Sequence, residues 1–123
     1  MKEVFAIVRP SRVQATKEAL AAADVFALHV FPVLGHGRGQ IESQILTAAA
    51  EGNEEAVALL GRYPRLMPRR AVCVMVPDAQ VETAVRAIVQ ANQTGESGDG
   101  KIYVLPLQEA ARVRTAECGE AAL

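Results

Sequence analysis

Two stretches of the chain follow one plan of apolar and polar positions. "FAIVRPSRVQATKEAL" (5–20) and "VCVMVPDAQVETAVRAI" (72–88) each open on an apolar run. Each then passes a proline and a polar residue and continues with apolar residues at helical spacing. Runs of this kind predict strands covered on both faces. Ser11 after Pro10, and Asp78 after Pro77, are predicted helix N-caps. Val13, Thr16, Leu20 and Ala23 fall on one helical face; so do Val81, Ala84, Val85 and Ile88, with Ala91 or Gln90 near the edge. Each predicted helix is followed by another apolar run, "FALHVFPVL" at 26–34 and "KIYVLPL" at 101–107.

The order is β-α-β, an insertion, then β-α-β. It predicts an α+β fold, a ferredoxin-like βαβ-βαβ sandwich with both helices on one sheet face. The other face would then be apolar and bare, which predicts self-association. The chain reads as a single domain over 1–123, with a long loop over about 36–68 and a C-terminal tail over about 109–123. The loop far exceeds an ordinary connection, so a function or disorder is expected of it. Within it, "NEEAVALLGRY" predicts a short helix capped by Asn53 and stopped at Gly61.

Composition narrows the function. The chain has 123 residues, 50% of them hydrophobic and 22% charged, which predicts a folded core. Its net charge of −1 supplies no positive field for nucleic acid. The absence of tryptophan and the 4% aromatic content argue against base stacking. "MKEVFAIVRP" is too short an apolar run for a signal peptide, and no run approaches membrane-spanning length. A cytoplasmic protein without membrane insertion is expected. Cys73 and Cys118 lack metal-site spacing and are expected to be reduced thiols.

Candidate chemistry concentrates in a few places. "TGESGDGKIYV" (94–104) puts glycines just ahead of Lys101. Read alone, it is either a flexible turn feeding a strand or a nest of N–H groups that, with Lys101, wraps a phosphate. It is not a Walker A motif, since the spacing is not met and a strand follows. "GHGRG" (35–39) is either a hinge at a strand end or a loop carrying His36 as ligand or nucleophile. His29, inside an apolar run, is expected to be partly buried and hydrogen-bonded. "RVR" (112–114) places two guanidinium groups on one face of an extended chain, suited to a polyphosphate, or else belongs to a solvated tail. Arg62, Arg65, Arg69 and Arg70 cluster where the long loop returns, either solvated or facing an anionic ligand or partner.

Taken together, the motifs resemble the PII nitrogen-regulatory signal-transduction family over nearly the whole chain. "TGESGDGKIYV" is similar to that family's B-loop pattern T-G-x-x-G-D-G-K-I-[FY]-V, "ARVRTAE" to its C-terminal R-[IV]-R-T-G-E, "VLGHGRG" to the base of its T-loop, and "MKEVFAIVRP" to its opening strand. The opening "IVRP", the altered loop and "VLGHGRG" lean toward the nitrogenase-regulating branch. The resemblance implies a homotrimer of ferredoxin-like subunits with sheets facing inward. It implies ATP or ADP in clefts between subunits. Gly98, Asp99, Gly100 and Lys101 would cradle the phosphates, Arg112 and Arg114 would reach them from the adjacent subunit, and Gly35, Gly37 and Arg38 would line the loop base. The long insertion would be the T-loop, whose conformation responds to ATP, ADP and 2-oxoglutarate and regulates a target protein, a nitrogen-metabolism enzyme or transporter. The implied function is sensing rather than catalysis.

The sequence departs from that pattern in places. Gly39 stands where the family has a glutamine that holds Mg²⁺ and 2-oxoglutarate; Gln40 follows one residue later, and Arg69 matches the basic residue that meets the effector's distal carboxylate. The insertion is longer than usual and has no tyrosine near its tip; Tyr63 lies near its returning end. Ala116 replaces the glycine of R-T-G-E, which matters if that position has positive φ. Glu96 replaces a lysine often found in the B-loop. Two other classes stay open: a PII-like sensor of another small molecule or a metal, and a nucleotide-processing enzyme that would use His36.

Overall fold

The structure, a computed structural model, describes residues 1–37, 43–62 and 66–123. Its elements run β1 (Lys2–Val8), α1 (Val13–Ala22), β2 (Leu28–Gly35), α2 (Ser43–Ala50), α3 (Glu54–Arg62), β3 (Met67–Val76), α4 (Val81–Asn92) and β4 (Lys101–Pro106). The strands form one antiparallel sheet in the order β2-β3-β1-β4. This is the predicted ferredoxin-like arrangement, with the two βαβ units interleaved so that β1 and β3 are central.

One sheet face is covered. Val4, Ala6 and Val8 of β1 and Val72, Val74 and Val76 of β3 point into a core closed by Leu20 of α1 and Ala84, Ala87 and Ile88 of α4. Each of the larger aliphatic side chains contributes roughly 1.5–3 kcal/mol by leaving water. Between the helices lies a buried polar pair. Asn92 Nδ2 donates to Thr16 Oγ1 at 2.9 Å, and Thr16 Oγ1 donates to the Arg12 carbonyl at 2.7 Å.

The other face carries the alternate residues. One row crosses all the strands as His29, Cys73, Phe5 and Tyr103, and the next as Phe31, Ala71, Ile7 and Lys101. The Phe5 ring packs against those of Phe31 and Tyr103, each at 6.4 Å between centroids. Phe31 is 42% exposed and Tyr103 49%. His29 is exposed on edge strand β2 rather than partly buried, because no helix covers this face. Cys73 and Cys118 are both free thiols. Burial, with Glu3 beside it, pushes the Cys73 thiol up from its ordinary value.

Three expectations about local structure need correction. Ser11 and Asp78 do not cap the helices. Each sits inside a 3-10 turn (Pro10–Arg12 and Asp78–Gln80) that precedes the α-helix, and neither turn has a side-chain cap. The Asp78 carboxylate instead pairs with the Met1 amine at 3.0 Å and Lys2 Nζ at 3.3 Å. The insertion holds a second helix, α2, which packs on α3. Asn53 does cap α3, its Oδ1 accepting from the Ala56 N–H at 3.1 Å, but Gly61 lies within that helix instead of ending it. Among the described residues, no helix is long and apolar enough to cross a membrane.

Candidate anion-binding cleft

Where β1 and β2 end and β3 and β4 begin, the bare face runs up into a cleft of about 520 Å³. The pairing explains what meets there. Ile7 lies opposite Lys101, and Val33 lies opposite Arg69, so the charged start of β4 and that of β3 reach the same end of the sheet. The lining joins an apolar wall of Ile7, Val33, Leu34 and Tyr103 to Gly35, His36, Gly37, Arg69, Glu96, Gly98, Asp99, Gly100 and Lys101. Six of the residues singled out from the B-loop and the loop base therefore share one cleft: Gly35, Gly37, Gly98, Asp99, Gly100 and Lys101. Arg69 joins them. Arg38, Gly39 and Gln40, like Tyr63 and Arg65, lie outside the described residues.

The loop between α4 and β4 is shaped by its glycines. Gly98 has φ +92° and Gly100 +116°, a region that L side chains adopt only with strain. At Gly100 a Cβ would also run into the Ile7 carbonyl, so the loop crosses the end of β1 at a distance only glycine permits. A Cβ at Gly98 would lie 3.2 Å from Arg9 Nη2 and 3.4 Å from Arg69 Nη2. Two guanidinium groups thus flank one glycine of the loop.

Asp99 is among the lining residues. Its carboxylate faces its own loop. Oδ2 accepts from the backbone N–H of Thr94 at 2.7 Å and of Gly95 at 3.0 Å, while Oδ1 accepts from the Thr94 hydroxyl and from Arg9 Nη1, the latter at 2.8 Å. Arg9 Nη2 donates to the Ser97 carbonyl at 2.9 Å. Hydrogen bonds from Thr94, and then the Arg9 guanidinium, hold the Asp99 carboxyl well below the usual carboxylate range. A carboxylate so engaged braces the loop. Arg9 and Thr94 were missed in the sequence. The signal was there in "TGESGD", where an Asp five residues after Thr94 and four after Gly95 can close the loop on itself.

Arg112 and Arg114 do not line this cleft within the chain. Nor do they share a strand face, since Val113–Thr115 form a turn closed by the Ala111–Cys118 bridge. The alternation rule fails at a turn. Arg112 pairs with Glu117 and donates from Nη2 to the Ala121 carbonyl at 2.9 Å. Val113 between them is 101% exposed. Ala116 has φ +59°, the left-handed conformation that the family's glycine suits. Of the arginine cluster, Arg69 faces the cleft while Arg70, opposite Val8 and Pro32, takes the alternate direction.

Among known proteins, residues 1–117 match the family described as "Nitrogen regulatory protein P-II". A "Nitrogen fixation nifHD region GlnB-like protein 2" of Methanobacterium ivanovii is 38% identical over 123 residues, covering 100% of this chain and 99% of that protein. A "Nitrogen regulatory protein P-II" of Cereibacter sphaeroides is 37% identical over 123 residues, covering 100% of both. The solved structure "Crystal Structure of Arabidopsis thaliana PII bound to citrate" is similar at a TM-score of 0.75 and 32% identity, covering 99% of this chain and 91% of that one. Matched along nearly its whole length in sequence and fold, the chain belongs to the nitrogen regulatory protein P-II family of signalling proteins.

Proposed function

We propose that this protein is a sensor of cellular energy and nitrogen status that binds ATP or ADP in the cleft at the sheet end and regulates a target protein through its long insertion. The observation that carries the reading is the convergence of Lys101, Arg69 and the Gly98–Gly100 loop on one cleft with an apolar wall. Lys101 supplies a point charge and Arg69 a planar fork, while the wall of Ile7, Val33, Leu34 and Tyr103 takes the uncharged part of the ligand. Gly35, Gly37 and Arg38 would lie along the nucleotide at the base of the insertion.

The assembly is a homotrimer in this reading, with the bare sheet faces turned inward. Burying Phe5, Phe31 and Tyr103 would remove an aromatic patch from water. Arg112 and Arg114 would then reach the phosphates from the adjacent subunit. Mg²⁺ would accompany the nucleotide, held chiefly by its phosphates. The protein acts in the cytoplasm as a regulator, not as an enzyme; its target is a nitrogen-metabolism enzyme or transporter. Ligands would switch the insertion by differing in affinity for its conformations. The α2–α3 pair gives it a folded surface to present.

A second reading has its own support. Two guanidinium groups flank Gly98, and the related plant protein was solved with citrate bound. A sensor that takes a polycarboxylate in place of 2-oxoglutarate fits that chemistry. Calorimetry with ATP, ADP, 2-oxoglutarate and citrate separates the two. ATP and ADP binding that is lost in Lys101→Ala supports the first reading. Absence of nucleotide binding in the wild type overturns it.

A further inference from the structure

The acid at the centre of the glycine loop lies beside a cleft whose other charged groups are mostly cations, yet it is turned into the loop. One carboxylate gathers the Thr94 N–H, the Thr94 hydroxyl, the Gly95 N–H and the Arg9 guanidinium. Arg9 in turn reaches the Ser97 carbonyl. The start of the loop, its middle and the end of β1 are thereby joined through Asp99. Gly98 and Gly100, which line the cleft further along the loop, depend on the backbone path that this junction sets.

We propose that Asp99 is a positioning residue of the anion cleft: it touches no ligand, and through Thr94, Gly95 and Arg9 it sets the arrangement of Gly98, Gly100 and Lys101 that receives one. This rests on the reading above that the cleft binds a polyphosphate. The chemistry makes a prediction of sign. A carboxylate that merely stands near a bound anion repels it, so its removal strengthens binding. A carboxylate that organises the donors acts the opposite way, and its removal weakens binding. Asn in its place keeps one acceptor oxygen of the right shape but loses the charge that holds Arg9. The order of affinity is therefore wild type, then Asp99→Asn, then Asp99→Ala. The second neighbour of Gly98, Arg69, makes no ion pair with a described residue, so the loss is not a general collapse of cleft charge.

The test is calorimetric titration of the full chain with ATP and, separately, inorganic triphosphate, alongside backbone amide exchange without ligand. Thermal unfolding confirms that each variant is folded. Should Asp99→Ala fail to fold, Asp99→Asn and Thr94→Val carry the comparison. Asp99→Ala is expected to bind roughly tenfold to a hundredfold more weakly, the scale of a charge-assisted hydrogen bond. Exchange at Thr94 and Gly95 is expected to quicken. Adding Thr94→Val to Asp99→Ala should cost little more than Asp99→Ala alone, since both remove one junction. Binding in Asp99→Ala that equals or exceeds the wild type overturns the proposal. So does weaker binding with unchanged exchange, which marks a direct ligand contact. If wild type binds triphosphate but not ATP, the nucleotide reading fails while the positioning role is still judged by these same criteria; if it binds neither, both fail.

Discussion

Asp99 and Arg9 lie 90 residues apart in sequence and 2.8 Å apart in the fold, which fastens the last loop of the sheet to the end of its first strand. The contact fixes how acid should act on the protein. The Asp99 carboxyl is held low by hydrogen bonds from Thr94 and by Arg9, and the Asp78 carboxyl is held low by the Met1 amine and Lys2.

A carboxyl whose folded value is depressed adds stability above its unfolded value, about 3.9 for aspartate, and loses it as pH falls through the folded value. The carboxyl carbon resonance of Asp99 should therefore stay flat from pH 8 to pH 4. Unfolding free energy should drop below about pH 4, and that acid limb should be shallower in Asp99→Asn. A midpoint for Asp99 near the ordinary aspartate value would show that the junction with Arg9 and Thr94 does not persist in solution.

Gly100 and Gly98 should respond differently to a methyl group. Both have positive φ, so alanine at either carries a strain of roughly 1–3 kcal/mol. At Gly100 the new Cβ also meets the Ile7 carbonyl, held in the centre of the sheet between β3 and β4. At Gly98 it meets only the ends of the flexible Arg9 and Arg69 side chains. Urea denaturation should rank Gly100→Ala as the more destabilised of the two. Equal losses would mean that the backbone contact with Ile7 relaxes.

Ala116 is the reverse case, a side chain where glycine fits better. Its φ is +59° and its N–H donates to the Arg112 carbonyl at 2.8 Å, closing the turn that carries Arg114. The left-handed conformation costs alanine roughly 1–2 kcal/mol, and the extra freedom of glycine in the unfolded chain offsets part of that. Ala116→Gly should stabilise the tail, and the protein by up to about 1 kcal/mol in urea. A destabilised variant would contradict the strain.

The skeleton was legible because both βαβ units announce themselves by period. "VCVMV" and "FAIV" read as covered strands, and the interval to "KIYVL" leaves room for one helix. Boundaries defined by turn geometry were not legible. Proline followed by Ser11 or Asp78 is compatible with either a cap or a 3-10 turn, and only the packing of the helix decides. Helix α2, "SQILTAAA", is short, so its apolar run gave no period to read. Within the site, residue types were legible but directions were not. Lys101 and Arg69 face the cleft because β4 and β3 place them there. Asp99 turns inward and Arg112 is tied to Glu117, consequences of hydrogen bonds between residues that no periodicity links.

Assembly is testable on the bare face. Phe31 sits on it 42% exposed, its ring tilted against that of Phe5, and outside the cleft lining. Light scattering at micromolar concentration should return the trimer mass for the wild type, and a smaller species for Phe31→Asp, because a buried unpaired charge opposes association. A wild-type monomer would remove the inward-facing arrangement, and with it the shared cleft.

Gly39 should weaken the binding of 2-oxoglutarate. Family members place a glutamine side chain there to complete the site for Mg²⁺ and 2-oxoglutarate, and glycine offers none. Gln40 is one residue along, and in extended chain an odd shift turns a side chain the opposite way. Arg69 does stand in the cleft, its Nη2 beside Gly98, so a distal carboxylate would still find a cation. Losing one polar contact of this kind costs on the order of 1–3 kcal/mol, about tenfold to a hundredfold in affinity. With Mg·ATP present, 2-oxoglutarate should therefore bind weakly to the wild type and more tightly to Gly39→Gln, and Arg69→Ala should weaken both. Titrating wild type, Gly39→Gln and Gln40→Ala decides between the two neighbours. Tight wild-type binding that Gln40→Ala abolishes would show that Gln40 takes over the missing side chain's place. Tight binding that survives Gln40→Ala would show that this protein builds its effector site without either residue.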